Sequence, residues 1–547
     1  MHLIFPKKSA LIFILLSAIF FLPEMAVEAN SSSQEDQPNK IFLPIISSAY
    51  DDASEERVMS ANNRATSPAI FSNGRNANEL EPQQIIFTAR STNLSTGQRQ
   101  IANCLQRIGL VRDVTYMKSI LLSSINTRLF LYNTSQNFNA EQVVTRLQDA
   151  TSPGSNRITS RRCRQIQTAE PNWIYTANQW IGGGSPWKDS TQNLAILPID
   201  DESVKFNEQQ ALVNLVAGNL NSLENFSGEG VRVAILDTAP INASMGENIL
   251  IDGAQQWQLT INISKMKNEY ATINNIPCDT DEDLIQEYTE LMKEHGIYVA
   301  SLVNAVAPST EIELYRVLNH CGVGDLLTLM NALDQFIDNN GTQPAVINMS
   351  FGAVLPQNML WAEESPKSIL ENLIEIAKEN GIAIVAASGN GSEYTTPIPA
   401  EWPASIPSVL SVGASDGVKG MSCFSNQGDI LAPGGNSPGN LNFKSTTDIP
   451  NTKTLDGTAM MPTDCKARMD ECSENPDMCI IGQNSDGGLS YLKGTSFSSP
   501  MVAGIVALAK GAHPNKSVDD LFASIQKGAI QASQNPDLLI AQKNISN

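Results

Sequence analysis

Apolar and polar positions along this chain follow two different rhythms. Between Gln84 and about Thr176, short alternating runs give way to apolar residues at helical spacing. "QIIFTAR" and "RLFLYN" predict strands, while "TGQRQIANCLQRIG" and "NAEQVVTRLQDA" predict amphipathic helices, the second opened by Asn139 as N-cap. "AEPNWIY" closes this segment, and a two-helix, few-stranded α+β unit of this size fits a ferredoxin-like module. From about Phe206 onward the rhythm changes. "VRVAILD", "EIELYRVL", "AVINMSFG", "IAIVAAS" and "SVLSVGA" are largely apolar runs and read as parallel strands buried on both faces. "IYVASLVNAV", "LLTLMNALDQFI" and "SILENLIEIAKEN" are the helices between them. The pattern predicts an α/β domain with a doubly wound, mainly parallel sheet and helices on both faces. Residues 177–205, rich in glycine and turn formers, predict a linker and processing region.

A length of 547 residues is ample for two such units. At the N-terminus, Lys7 and Lys8 precede the apolar run Ala10–Leu22, and "AVEA" ends at Ala29 with small residues. A membrane span needs about 20 apolar residues, so residues 1–29 predict a cleaved signal peptide rather than an anchor. Residues 30–83 are rich in Ser, Asn, Asp and Glu and predict a disordered polar leader. The remainder is expected to be exported, soluble and free of the membrane.

Eight cysteines then suit disulfides in an oxidising compartment. Three of them, Cys465, Cys472 and Cys479, lie in a polar insertion at about 442–488; without a Cys-x-x-Cys pair or a nearby histidine, zinc is a poor reading. The net charge of −21 argues against nucleic acid or an anionic membrane as partner. The segment Gln84–Thr176 nevertheless carries eleven Lys/Arg against four Asp/Glu, a net +7 that leaves −28 elsewhere. Opposite charges favour docking of the two parts, although a solvated basic face would give the same count.

Three positions suggest chemistry. Asp237 ends an apolar strand, and open α/β sheets place their sites at that end; an aspartate there also suits a turn or helix cap. Among four histidines, His295 opens a helix beside Gly296 and is the best placed to act as a base. Ser496 follows Gly494-Thr495 at the head of "SSPMVAGIVALAK", where free N–H groups favour negative charge. An ordinary serine cap is the rival, but it leaves Gly-Thr in front and Ala503-Gly504 behind unexplained.

In the order Asp237, His295, Ser496, these residues resemble the subtilisin-like serine proteases, the subtilase family. "GTSFSSPMVAG" is similar to the family's serine box, "VINMSFG" to its substrate-binding strand, "AASGNGS" to its oxyanion loop, and "FSNQGDILAPGG" to a later segment. The likeness runs from about Phe206 to His513, and residues 84–176 resemble the inhibitory propeptides of that family. Two boxes depart from the pattern. Ala239 stands where glycine is usual, and Ile297 and Tyr298 stand where small or polar residues are commoner, with Tyr298 expected to narrow the cleft or shift His295.

The resemblance implies a secreted serine endopeptidase, made as a zymogen and acting on protein or peptide substrates as a monomer. His295 is implied as general base, Asp237 as its orienting carboxylate and Ser496 as nucleophile. Asn390 is implied as oxyanion donor, although Asn390-Gly391-Ser392 also reads as a glycosylation sequon. Ser350, Phe351 and Gly352 are implied to lend backbone edges to substrate. The "NWIY" end of the propeptide is expected in that same cleft, with self-cleavage between Tyr175 and about Phe206. The +7 module is expected to inhibit the acidic domain, and equal inhibition at low and high salt would remove the electrostatic part of that idea. No cofactor is required for the chemistry. Structural calcium is a family habit, but "CDTDEDL" (278–284) lacks EF-hand spacing and reads as a solvated acidic turn, so no metal ligand is assigned. Two rivals remain: a subtilase-like module that binds proteins without cutting, and an esterase of the α/β-hydrolase type. The latter orders its residues Ser, Asp, His, which does not match.

Overall fold

Alternation in the first strands sends their side chains to two separate cores. The computed structural model describes residues 83–177, 227–239, 292–353, 368–392, 398–415, 421–435 and 479–534, apart from a few positions within them. It also describes 196–199, 248–251, 257–261, 361–362 and residues 204 and 472, and all of these belong to one compact unit, Ile41–Asn547. The expected signal peptide and leader, most of the linker, the acidic run 278–284 and, within the expected insertion, residues 442–471 and 473–478 lie outside the described residues.

Strands β1 (Gln84–Ala89), β2 (Val114–Leu122), β3 (Thr127–Thr134) and β4 (Ile166–Pro171) form an antiparallel sheet in the order β4-β1-β3-β2, to which the distant pair Trp361–Ala362 adds a fifth strand beside β4. Helices Leu94–Arg107 and Ala140–Thr151 lie between strands as predicted, each opened by an asparagine cap; Asn139 and Gln142 complete a capping box. Ile85, Phe87 and Phe130 face these helices and make a core with Ile101, Leu105, Val143, Val144 and Leu147. A third helix, Arg157–Cys163, is tied to the first by the Cys104–Cys163 disulfide, a pairing that the spacing alone left open. Ile86, Leu129 and Leu131 point the other way, as a period of two demands, and pack with residues of the helices Leu326–Asn340 and Ile369–Glu379.

After β4 the chain adds two four-residue strands to other sheets: β5 (Ile174–Ala177) and β6 (Ile196–Ile199). The larger body is then built on β7 (Arg232–Asp237), β8 (Asn248–Ile251), β9 (Trp257–Ile261) and β10 (Glu311–Arg316). β11 (Val323–Asp325), β12 (Ala345–Met349), β13 (Phe351–Gly352), β14 (Trp361–Ala362) and β15 (Ile382–Ala387) follow. β16 (Leu410–Ser415), β17 (Ile430–Pro433), β18 (Ile480–Gln483) and β19 (Leu489–Leu492) complete the set. Eight strands form one sheet in the order β17-β16-β15-β12-β7-β10-β9-β8, parallel throughout except for the edge pair β8–β9. This is the doubly wound sheet that the apolar runs predicted.

Order reverses around β7, whose neighbours are β10 on one side and β12 on the other. A crevice opens at the carboxyl ends of strands where order reverses, and here it lies beyond Asp237 and Met349. Helix His295–Val306 and helix Thr495–Ala512 are apolar nearly all round because both lie inside one core cluster with the sheet. Among the described residues, no helix is long and apolar enough to cross a membrane.

Candidate active site

Asp237 is the last residue of β7 and is fully buried, as is His295 at the head of its helix. A buried carboxylate needs partners. Asp237 Oδ1 lies 2.7 Å from His295 Nδ1 and accepts the Thr238 backbone N–H at 2.6 Å. Gly296 makes this approach feasible, since a Cβ there would sit 2.2 Å from the Thr238 carbonyl oxygen. The Thr238 hydroxyl in turn accepts the Gly296 N–H at 3.0 Å, so the two elements are stitched on both sides of the imidazole. The other ring nitrogen, His295 Nε2, is buried and has no hydrogen-bond partner among the described residues.

Ser496 is the second residue of its helix, after Gly494 at φ +138°. Its hydroxyl donates to the Ser350 carbonyl oxygen at 3.1 Å rather than to His295. The histidine ring is nevertheless close to this turn: its centroid lies 5.3 Å from that of Phe497. Pro500 is the sixth residue of the helix. Lacking an N–H, it leaves the Ser496 carbonyl without its helical donor. Ser350 Oγ replaces that donor at 2.9 Å, and is itself held by Asn348 Nδ2 at 2.9 Å and lies 3.0 Å from Ser499 Oγ. Ser350 is therefore engaged with the serine helix through both its side chain and its carbonyl.

Asn390 is buried, and its Oδ1 accepts both the backbone N–H of Thr495 at 3.0 Å and its hydroxyl at 2.9 Å. Thr495 Oγ1 also accepts the Gly389 N–H at 3.2 Å. The threonine before Ser496, unexplained by an ordinary serine cap, thus fixes which way the Asn390 carboxamide faces. Burial of the whole Asn390 side chain makes its Nδ2 a poor glycosylation acceptor.

Phe351 and Gly352 form β13, and its edge is occupied by this chain's own β5. Phe351 pairs with Ala177 and Gly352 with Thr176, antiparallel. The other edge of β5 pairs with β11, so Ile174–Ala177 is the middle strand of three. Tyr175 is buried, stacks on Phe351 with centroids 4.5 Å apart, and donates its hydroxyl to the Val317 carbonyl at 3.2 Å.

The departures from the expected boxes point away from the crevice. Ala239 and Ile297 are fully buried in the core cluster that holds both helices. Tyr298 neither narrows the cleft nor displaces His295 from Asp237: its hydroxyl lies 2.9 Å from Ser490 Oγ on β19. Burial pushes that phenol up to about 12. Among the described residues, no three His, Cys, Asp or Glu side chains cluster as metal ligands.

A profile of the subtilase family matches residues 228–542, more than half of the chain. Subtilisin Savinase of Lederbergia lenta is 31% identical over 178 residues, 30% of this chain and 58% of that protein. The alkaline protease of Shouchella clausii is 31% identical over 30% of this chain and 41% of its own. A thermophilic serine proteinase of Bacillus sp. (strain AK1) is 28% identical over 40% of this chain and 42% of its own length. The chain thus spans about half the length of the curated relatives it matches. A crystal structure of a cold adapted subtilisin-like serine proteinase superposes with a TM-score of 0.34 and 22% identity, over 55% of this chain and 82% of the other. With a parallel sheet of the expected kind and a family match over residues 228–542, the chain belongs to the subtilase family.

Proposed function

We propose that this protein is a secreted serine endopeptidase, synthesised as a zymogen whose N-terminal module inhibits it until the linker is cut. One observation carries the catalytic reading: His295 is held by Asp237 through Nδ1 while its buried Nε2 is left without a partner beside the serine helix. Buried polar atoms are rarely left unpaired, and a base that takes its proton from an incoming group is one explanation for such an atom. In the reaction, Ser496 Oγ attacks a peptide carbonyl carbon as Nε2 takes its proton. Asp237 holds the tautomer and stabilises the imidazolium. The proton then passes to the leaving amine, the C–N bond breaks, and water repeats the sequence on the acyl-enzyme. Because Asn390 Oδ1 is engaged by Thr495, its Nδ2 is the end of the carboxamide that serves the developing oxyanion, with the Ser496 backbone N–H; one such donor is typically worth about 100- to 1,000-fold in rate.

Ile174–Ala177 lies against β13 as an added strand, the pose expected of a substrate or of an inhibitory tail. By contrast Ile196–Ile199 pairs with β19 inside the catalytic body, and Ile196 is buried in its core. This supports a cut on the N-terminal side of Ile196, narrower than the linker as a whole.

The Ser496→Ala variant tests the reading. The unaltered protein is expected to shorten by intact mass to a chain starting upstream of Ile196, and the variant to stay full length. A binding-only module is the second reading, favoured by the Ser496 hydroxyl bonding to Ser350 rather than to His295. An irreversible serine-directed phosphonate separates them, since labelling at Ser496 requires a working base.

A further inference from the structure

The histidine and the serine stand on different helices, and something must set the distance between them. The hairpin β18–β19 touches the histidine helix at three points. Ser485 N–H donates to Glu294 Oε2 at 3.0 Å, one residue before His295. Gln483 N–H donates to Ser301 Oγ at 3.2 Å, and Tyr298 Oη lies 2.9 Å from Ser490 Oγ. The same hairpin runs directly into the nucleophile turn, because β19 ends at Leu492 and the serine helix begins at Thr495. Its outer edge is paired along its whole length by β6, from Leu489 opposite Ile199 to Leu492 opposite Ile196.

Tyr298 is the key to this arrangement. It lies three residues after His295, about one helical turn, so a rotation or slide of the histidine helix moves both together. Ser490 lies six residues before Ser496. At position 298 the chain places a long phenol and buries it against Gly482 and Ser490.

Resting on the proteolytic reading above, we infer that Tyr298 and Ser490 are a positioning pair, a buried hydroxyl–hydroxyl link that sets His295 against Ser496. Neither residue touches substrate. The hairpin transmits the register of the histidine helix to the nucleophile turn, and β6 stiffens it from outside.

The test uses the full chain, allowed to mature, with Tyr298→Phe, Ser490→Ala, their combination and Ser490→Thr. Active sites are counted with a serine-directed phosphonate, so misfolded protein is excluded from kcat. Each single variant is expected to lower kcat about three- to tenfold, the value of one net hydrogen bond, with KM unchanged within about twofold. The combination should fall no further than the worse single variant, because both remove the same link. Ser490→Thr, which keeps the hydroxyl, should retain most of the rate. A lower melting temperature with unchanged kcat per labelled site would make the pair ordinary packing and overturn the inference, as would losses that multiply in the combination. If the unaltered protein neither labels nor hydrolyses peptides, the proteolytic reading falls and takes this inference with it.

Discussion

The N-terminal module and the catalytic body are closed by different means. In the module, one sheet face is sealed by its own helices and by a cystine joining Cys104 to Cys163 across 59 residues. Its other face is not sealed at all until Ile86, Leu129 and Leu131 meet the body's helices. The body has a core of its own, yet β13 and β11 would each have a bare edge without β5 between them. Each part therefore supplies what the other lacks, and their braces differ in reach: the module's cystine joins residues 59 apart, whereas Cys472–Cys479 in the body closes a separation of 7. A long-range brace suits the role proposed for the module, that of a part cut free which stays folded to inhibit.

The largest way to break the comparison is to remove the brace. Closing a loop of that length lowers unfolded-state entropy by an amount worth about 4 kcal/mol. Cys104→Ser with Cys163→Ser should lower the module's stability by about that much in urea titrations. The melting of the matured body should not move. If the module with its cystine intact is already unfolded in isolation, its inner core is not self-sufficient and the contrast fails.

A smaller effect sharpens the other half. Tyr175 joins the two parts through its stack on Phe351 and its bond to the Val317 carbonyl. Buried aromatic anchors at interfaces commonly cost about 2 kcal/mol or more on truncation, so Tyr175→Ala should weaken inhibition of the matured enzyme by the separate module about 30-fold or more. Asp334, which accepts the backbone N–H groups of Ser123 and Ser124 at 2.9 Å each, holds the β2–β3 turn in place meanwhile. A loss below about threefold would mean that β5 is held by its backbone alone.

Much of this division is legible in the sequence, and what is not has a physical cause. β7, β10, β12, β15 and β16 are long apolar runs whose burial on both faces leaves one reading. The aspartate and serine are legible because a strand-ending carboxylate and a Gly-Thr-Ser helix entrance cost stability without a use. The hairpin β18–β19 and strand β6 are four-residue strands, too short for a period of two to stand out, and "ILPI" contains a proline. The Asp486-Gly487 pair between β18 and β19 is the turn signal that could have found the hairpin. The direction of Tyr298 has no local signal, because its partner is 192 residues away. The cystine had alternatives that only the packing of two helices decides.

The subtlest contrast is in charge. Glu170 ends the module's sheet but is buried against the body, where the Ile369 N–H, at the start of a body helix, donates to its Oε1 at 3.5 Å. Burial pushes its carboxyl from the ordinary 4.5 up to about 7; the Ile369 N–H opposes this and the nearby Glu371 adds to it. Separation of the module returns Glu170 to water and to its ordinary range. The docked state therefore binds a proton that the separated state has released. Docking is strongest below about pH 4.5 and weakens as pH rises through about 7. Between pH 5.5 and 7.5 the inhibition constant of the separate module should rise about tenfold, measured against matured enzyme with activity at each pH normalised to uninhibited controls. In Glu170→Gln, which is neutral throughout and keeps an acceptor for the Ile369 N–H, that slope should disappear. An unchanged slope in the variant would assign the pH response to other groups at the interface and leave Glu170 a simple helix-end contact.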